Sequence, residues 1–140
     1  MPDLYLRCSA ARSTWSVVVD EGGARLVMFA ARCEGVDETL CLLALEAGLL
    51  HLGEAARAGA PRLRVHVPLL GLLAVLEGRF PAHAALEPAV EAVRRLPLFA
   101  YARFAPLFEQ RALPRLQPFE AELSGLKDRP LGWRGRFELP

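Results

Sequence analysis

The sequence predicts an α/β fold: a five-stranded mixed sheet, with three antiparallel strands followed by parallel strands, and helices on both faces. Three observations predict this class. Short segments of β-branched and aromatic residues come first, a long segment with helical periodicity follows, and strand-like and helix-like segments then alternate. A length of 140 residues, 53% of them apolar, is sufficient for one buried core.

The first three strands are predicted at residues 4–8, 14–19 and 25–31. The second of them is rich in β-branched residues around Trp15. Asp20-Glu21-Gly22-Gly23 predicts a tight turn before the third strand, because glycine accepts the positive φ that such turns require. Few residues separate successive strands, which favours an antiparallel meander.

A long helix is predicted from Asp37 to Gly59. Asp37 and Glu38 suit its first turn, where the helix dipole favours negative charge, and Gly59-Ala60-Pro61 would end it. Its polar residues form only a narrow stripe, so most of this helix should be buried.

Strands and helices alternate in the next part of the chain. Residues 63–67 alternate as a fourth strand, Pro68 suits the first position of a following helix, and Gly78 would close that helix. An amphipathic helix is predicted over residues 85–96, and residues 98–104 alternate as a fifth strand.

Composition limits the classes of function. The net charge is +1, which gives no global electrostatic reason to expect nucleic acid. Cys8, Cys33 and Cys41 form no CxxC spacing, so neither a disulfide framework nor a zinc knuckle is indicated. Residues 1–7 show no signal peptide, and the apolar run 67–76 is too short to span a bilayer. We therefore expect a cytoplasmic protein without membrane association.

Four segments resemble motifs of the ribonuclease H-like family. Residues 4–9 (LYLRCS) resemble its first strand, and residues 14–19 (TWSVVV) resemble its tryptophan-containing second strand. Residues 37–49 (DETLCLLALEAGL) resemble its helix signature, in which a catalytic glutamate precedes an Ala-Leu-x-Ala-Gly-Leu run. Residues 108–113 (FEQRAL) resemble its closing motif, so the resemblance spans roughly residues 3 to 113.

The resemblance implies a site at which acidic side chains hold two metal ions for phosphodiester cleavage. The corresponding positions here are Arg7, Cys41, Pro68 and Leu113, with Cys8 as the alternative to Arg7. None of these residues is a carboxylate, and a hard cation such as magnesium needs oxygen ligands. We therefore expect a degenerate, non-catalytic domain that holds no metal or other cofactor.

The resemblance also implies how the chain is divided. Residues 1–113 would form the ribonuclease H-like domain. Residues 114–140, which prolines interrupt, would form a C-terminal extension that packs on this domain or on a partner.

Residues 69–76 offer water no polar side chain, although a peripheral helix normally keeps one polar face. Exposure would forfeit roughly 1.5–3 kcal/mol for each large apolar side chain. The cover is therefore either the extension, through Leu123, Leu126 and Trp133, or a second subunit, and we favour a homodimer. The candidate interface consists of Leu69, Leu70, Leu72, Leu73, Leu76, Trp133 and Phe137.

Two other functions remain open. Nucleic-acid binding without cleavage is less favoured, because acidic residues interleave with the arginines; its candidate patch consists of Arg62, Arg64, Arg94, Arg95, Arg103, Arg111 and Arg115. The protein could also be an enzyme of another class, in which Cys8 or Cys41 acts in the cleft that holds the metal ions in the ribonuclease H-like family. These thiols, with His66 nearby, could also hold a soft metal or act as a redox switch, although free cysteine is more often a small buried hydrophobe.

Overall fold

The computed structural model describes residues 2–22, 25–55 and 62–139. The strands in these ranges are β1 (Asp3–Ser9), β2 (Thr14–Asp20), β3 (Leu26–Arg32), β4 (Leu63–Val67), β5 (Ala102–Pro106) and β6 (Arg134–Leu139). The helices are α1 (Asp37–Ala55), α2 (Leu70–Leu76), α3 (Glu87–Arg94), α4 (Glu109–Leu116) and α5 (Glu120–Gly125). Short 3-10 turns cover Pro97–Tyr101, Gln117–Phe119 and Leu126–Asp128.

The described strands form one mixed sheet in the order β5-β4-β1-β2-β3-β6. β1, β2 and β3 pair as an antiparallel meander, and β4 and β5 extend it from β1 in parallel. β6 adds to the opposite side, antiparallel to β3. The predicted α/β class with a mixed sheet is therefore confirmed, but the sheet has six strands in the described ranges and not five.

All seven residues of β2 are buried, because structure covers both faces of the sheet at this strand. The α1 face packs against α1, α2 and α3. Its core includes Leu4, Leu6, Val17, Leu45, Val65 and Val93. The opposite face, here the α4 face, packs against α4 and the turns that follow it. Its core includes Tyr5, Val18, Met28, Leu116, Phe119 and Leu126.

α1 lies close against the sheet at Gly48. A Cβ atom added there would lie 2.9 Å from Leu4 Cδ1 and 3.2 Å from Val17 Cγ2. The absence of a side chain at this position lets the helix backbone lie directly on β1 and β2. The predicted end of this helix, Gly59-Ala60-Pro61, lies outside the described residues.

The short helix α2 begins at Leu70, two residues after the predicted Pro68, and Gly78 follows its C-terminal end, close to where the sequence predicts that end. The Gly78 φ of 78° is the left-handed conformation that glycine adopts without strain. The amide of Gly78 donates to the carbonyl of Val75, and the amide of Arg79 donates to the carbonyl of Ala74. This pair of hydrogen bonds satisfies carbonyls that the end of the helix would otherwise leave free.

Three leucines of α2 are covered by this chain itself, and not through the predicted C-terminal extension. Leu72, Leu73 and Leu76 are buried in the α1-face core, packed among this chain's own helices and β4. Trp133 and Phe137 belong to the α4-face cluster, on the other side of the sheet, so the residues of the predicted interface are not brought together. The burial of Leu72, Leu73 and Leu76 therefore needs no second subunit, whereas Leu70 remains 70% exposed.

The predicted fifth strand begins too early. Residues Pro97–Tyr101 form a 3-10 turn, and β5 runs only from Ala102 to Pro106. Proline suits the first position of such a turn because its φ is already restricted and it has no amide hydrogen to leave unpaired. Leu98 is buried while Tyr101 is exposed, so the alternating pattern comes from a turn lying on the core.

Residues 114–139, the described part of the predicted extension, pack on the rest of this chain. The predicted boundary at residue 113 falls inside α4, and the chain then continues into β6, which completes the sheet. β6 pairs Phe137 with Met28 on the α4 face. The amide of Arg32 donates to the carbonyl of Trp133 at 2.9 Å, which joins the end of β3 to the start of β6.

Candidate functional site

Cys8 and Cys41 lie together where α1 packs on the end of β1. Cys41 is fully buried in the α1-face core, Cys8 packs against it half-buried, and their thiols are hydrogen-bonded. The backbone supports this contact, because the amide of Ala10 donates to Asp37 Oδ1 at 2.7 Å and so ties the end of β1 to the start of α1. Cys8, the alternative to Arg7, is thus the β1 residue that faces Cys41.

The two thiols differ in acidity. The hydrogen bond from Cys41 lowers the pKa of Cys8, although burial and the nearby Asp37 and Glu38 act in the opposite direction. The same hydrogen bond raises the pKa of Cys41, and burial raises it further. Cys8 is therefore the thiol that ionises first, with Cys41 as its protonated donor.

We expect a thiol-alkylating reagent to modify Cys8 well before Cys41 in a Cys33→Ala background. The pH at which the rate for Cys8 is half-maximal should lie below that of an ordinary thiol, because the thiolate is the nucleophile and its pKa is lowered. Mass spectrometry of quenched samples measures both rates. Cys41→Ala should move this midpoint to higher pH, and Cys41→Ser, which keeps a donor, should move it less. A midpoint that is unchanged in Cys41→Ala contradicts the hydrogen bond.

The four positions that correspond to family carboxylates do not converge on one site. Arg7 and Leu113 line a cavity on the α4 face, whereas Cys41 is buried on the α1 face. Pro68 directly follows β4 and is half-buried. The structure thus separates the predicted set into a thiol pair on one side of the sheet and a cavity on the other.

The cavity, of about 270 Å³, lies between the α4 face and the segment from α4 to the last 3-10 turn. Thr14 and Ser16 lie on β2 opposite Ser9 and Arg7 of β1, and all four line the cavity. Thr14 and Ser16 are buried, at 7% and 3% exposure. The remaining lining is mixed in character: Arg12, Leu113, Leu116, Gln117, Glu120, Leu123, Ser124, Leu126 and Lys127, together with Cys8.

Positive charge predominates in this lining. Arg7, Arg12 and Lys127 contribute three cations, against the single carboxylate of Glu120. None of the three cationic side chains forms an ion pair or a hydrogen bond with any residue whose side chain the structure describes. Arg115, by contrast, pairs its Nε with Asp20 Oδ2 at 3.2 Å and so ties α4 to β2.

The predicted arginine patch is divided between the two sides of the sheet. Arg64 and Arg103 are register partners on β4 and β5, and both are exposed on the α4 face. Arg94 and Arg95 belong to α3 on the other side, where Arg94 Nη2 donates to the carbonyl of Val75 at 2.8 Å. Arg62, just before β4, is exposed, and the side chain of Arg111 lies outside the described part of the structure.

His66 is not near the two thiols. It lies on the α4 face, where its ring stacks on Tyr5 with the centroids 4.5 Å apart. Its Nε2 is 2.9 Å from Asp3 Oδ1. Burial and the negative charges of Asp3 and Asp20 raise the pKa of Tyr5. The less favoured alternative, in which His66 joins the two thiols, therefore does not match this geometry.

Within the ranges that the structure covers, no three histidine, cysteine, aspartate or glutamate side chains are grouped so that they could hold a metal ion. No helix in the same ranges has both the length and the apolar character needed to cross a membrane.

Sequence reasoning did not identify Arg12, Ser16, Glu120 or Lys127 as residues of one site. Their positions along the chain show no common motif, since the site forms only when the segment after β5 folds back over β1 and β2. Compared with known proteins, the chain matches no protein-family model and no curated protein.

Proposed function

We propose that this protein is a non-catalytic binding module built on a ribonuclease H-like scaffold. The observation that carries the proposal is the pair Cys8 and Cys41, which occupies the place where α1 faces β1. In the family that the sequence resembles, carboxylates from this strand and helix hold the metal ions. Thiols are soft ligands, whereas the magnesium ions of a phosphodiester displacement need hard oxygen ligands.

The arrangement of elements supports the choice of scaffold. An antiparallel β1-β2-β3 meander is followed by α1, and β4 then pairs with β1 in parallel. This is the order of elements that the resemblance implies. The sheet departs from it at one edge, where β6 is added to β3.

Incubation with a labelled RNA–DNA hybrid in magnesium or manganese tests the proposal. We expect no cleavage above that of the buffer, while an active ribonuclease H in a parallel reaction degrades the same hybrid. Cleavage that co-purifies with the protein and is abolished by a chelator would show that a carboxylate site exists. The proposal would then be wrong.

Nucleic-acid binding without cleavage is the second candidate, because Arg64 and Arg103 are exposed neighbours on the α4 face. The same hybrid, followed by fluorescence anisotropy, tests it. Phosphate contacts must weaken as salt rises. Arg103→Gln should reduce the slope of the logarithm of the binding constant against the logarithm of salt concentration by about one. Arg79→Gln, which removes a cation paired with Glu77, is the matched control. No binding even at low salt eliminates this candidate.

A further inference from the structure

We propose that the cavity between the α4 face and the segment from α4 to the last 3-10 turn binds a small organic anion with an apolar body. The proposal rests on the binding function inferred above and names its ligand class. The size of the cavity, its positive charge and its apolar lining support it.

The size of the cavity selects a small molecule. Its volume of about 270 Å³ lies just below the range of pockets that hold drug-sized ligands, which begins at about 300 Å³. A folded partner or a nucleic-acid helix cannot enter such a space. A head group attached to a single ring or a short chain is of suitable size.

The charges select an anion. Arg7 and Arg12 line the cavity from β1 and the turn after it, Lys127 lines it from the last 3-10 turn, and no described side chain forms an ion pair with them. A carboxylate or phosphate between them would accept charge-assisted hydrogen bonds, which are stronger than those between neutral groups. The buried hydroxyls of Ser16 and Thr14 can donate further hydrogen bonds to the same oxygen atoms.

The leucines select an apolar body. Leu113, Leu116, Leu123 and Leu126 line the cavity from the C-terminal side, and Leu113 remains 60% exposed. Covering such surface with a ring or an alkyl chain gains about 25 cal/mol for each Å² removed from water. A ligand with both parts therefore satisfies the basic side and the apolar side of the cavity at once.

Phenyl phosphate is a suitable probe for a phosphate head group, and phenylacetate is the corresponding probe for a carboxylate. Titration into isotope-labelled protein should shift the backbone amide signals of Ser9, Ser16 and Ser124 in a saturable manner. Benzyl alcohol, which has the ring without the charge, should produce much smaller shifts at equal concentration. Signals on α3 should not move.

Two variants separate specific binding from a general attraction to cations. Arg7→Gln and Lys127→Gln should each weaken binding by about tenfold, as expected for the loss of one charge-assisted hydrogen bond. Arg95→Gln, on α3, removes the same charge far from the cavity and should change nothing. Because Arg7, Lys127 and Arg95 are all exposed, none of these variants should disturb the fold.

Lys127 offers an independent measurement, because it is the only lysine in the chain. Phenyl phosphate should slow acylation of its amine, and benzyl alcohol should not. The proposal is overturned if no cavity amides shift, if the neutral probe binds equally well, or if Arg95→Gln weakens binding as much as Arg7→Gln. If the protein cleaves the RNA–DNA hybrid and also binds phenyl phosphate, only the proposed non-catalytic function is overturned. If it neither cleaves the hybrid nor binds phenyl phosphate, only the proposed anion site is overturned.

Discussion

Phe119→Ala is expected to lower the free energy of unfolding by about 3–5 kcal/mol, the usual cost of truncating a buried phenylalanine. Phe119 is fully buried, and it is the largest of the completely enclosed side chains. It joins the C-terminal segment to Tyr5, Val18 and Met28 on the α4 face. Urea denaturation followed by circular dichroism measures the change.

Phe80→Ala is the matched control for this prediction. Phe80 is 62% exposed, so its truncation should change stability by no more than about 0.5 kcal/mol. Equal stability of the two variants would mean that Phe119 does not anchor the C-terminal segment to the sheet. Phe119 would then not belong to a tightly packed core on the α4 face.

Gly48→Val is expected to destabilise the protein by about 1–3 kcal/mol through overpacking. Even the first added carbon would lie 2.9 Å from Leu4 Cδ1, closer than carbon atoms normally approach. Leu4 and Val17 are both fully buried, so neither side chain can move away into solvent. Either these core side chains must repack or α1 must move away from the sheet. Thermal and urea unfolding measure the loss.

Gly53→Ala tests the same helix without the same contact. Gly53 is exposed, and the nearest atom to an added Cβ is Leu98 Cδ1, at 3.9 Å. Alanine should therefore stabilise α1 by about 0.5–1 kcal/mol, since glycine loses more backbone entropy in a helix. Stabilisation by both substitutions would contradict the close approach of α1 at Gly48.

Local patterns predicted much of this fold. The predicted strand at 14–19 corresponds to β2, and the predicted strand at 63–67 coincides with β4. The predicted start of the long helix at Asp37 is also the start of α1. In each case neighbouring residues carry the signal, through β-branched runs, alternation or an acidic first turn.

The errors arise where distant parts of the chain meet. Periodicity identifies α2 as apolar, but it does not show that the helix is buried among its own neighbours on the α1 face. The tail did contain a usable signal. Residues 134–139 alternate polar and small or apolar residues with a period of two, which is typical of a strand at the edge of a sheet.

The candidate site was predicted only in part. The proximity of Cys8 and Cys41 follows from packing a helix on the first strand, and sequence reasoning considered it. The cavity needs Arg7 and Lys127 together, which lie at opposite ends of the chain and meet only through the folding of the C-terminal segment over the sheet. No local pattern contains that information.

The pairing of β6 with β3 has a consequence for the growing polypeptide. The ribosome releases β3 long before β6, so one side of the meander stays unpaired through most of translation. That side belongs to a strand of sequence LVMFAAR, in which six apolar residues precede Arg32, and such apolar segments nucleate intermolecular β-pairing. Aggregation through this strand is thus most favoured during synthesis, and it becomes less favoured once β6 pairs with β3.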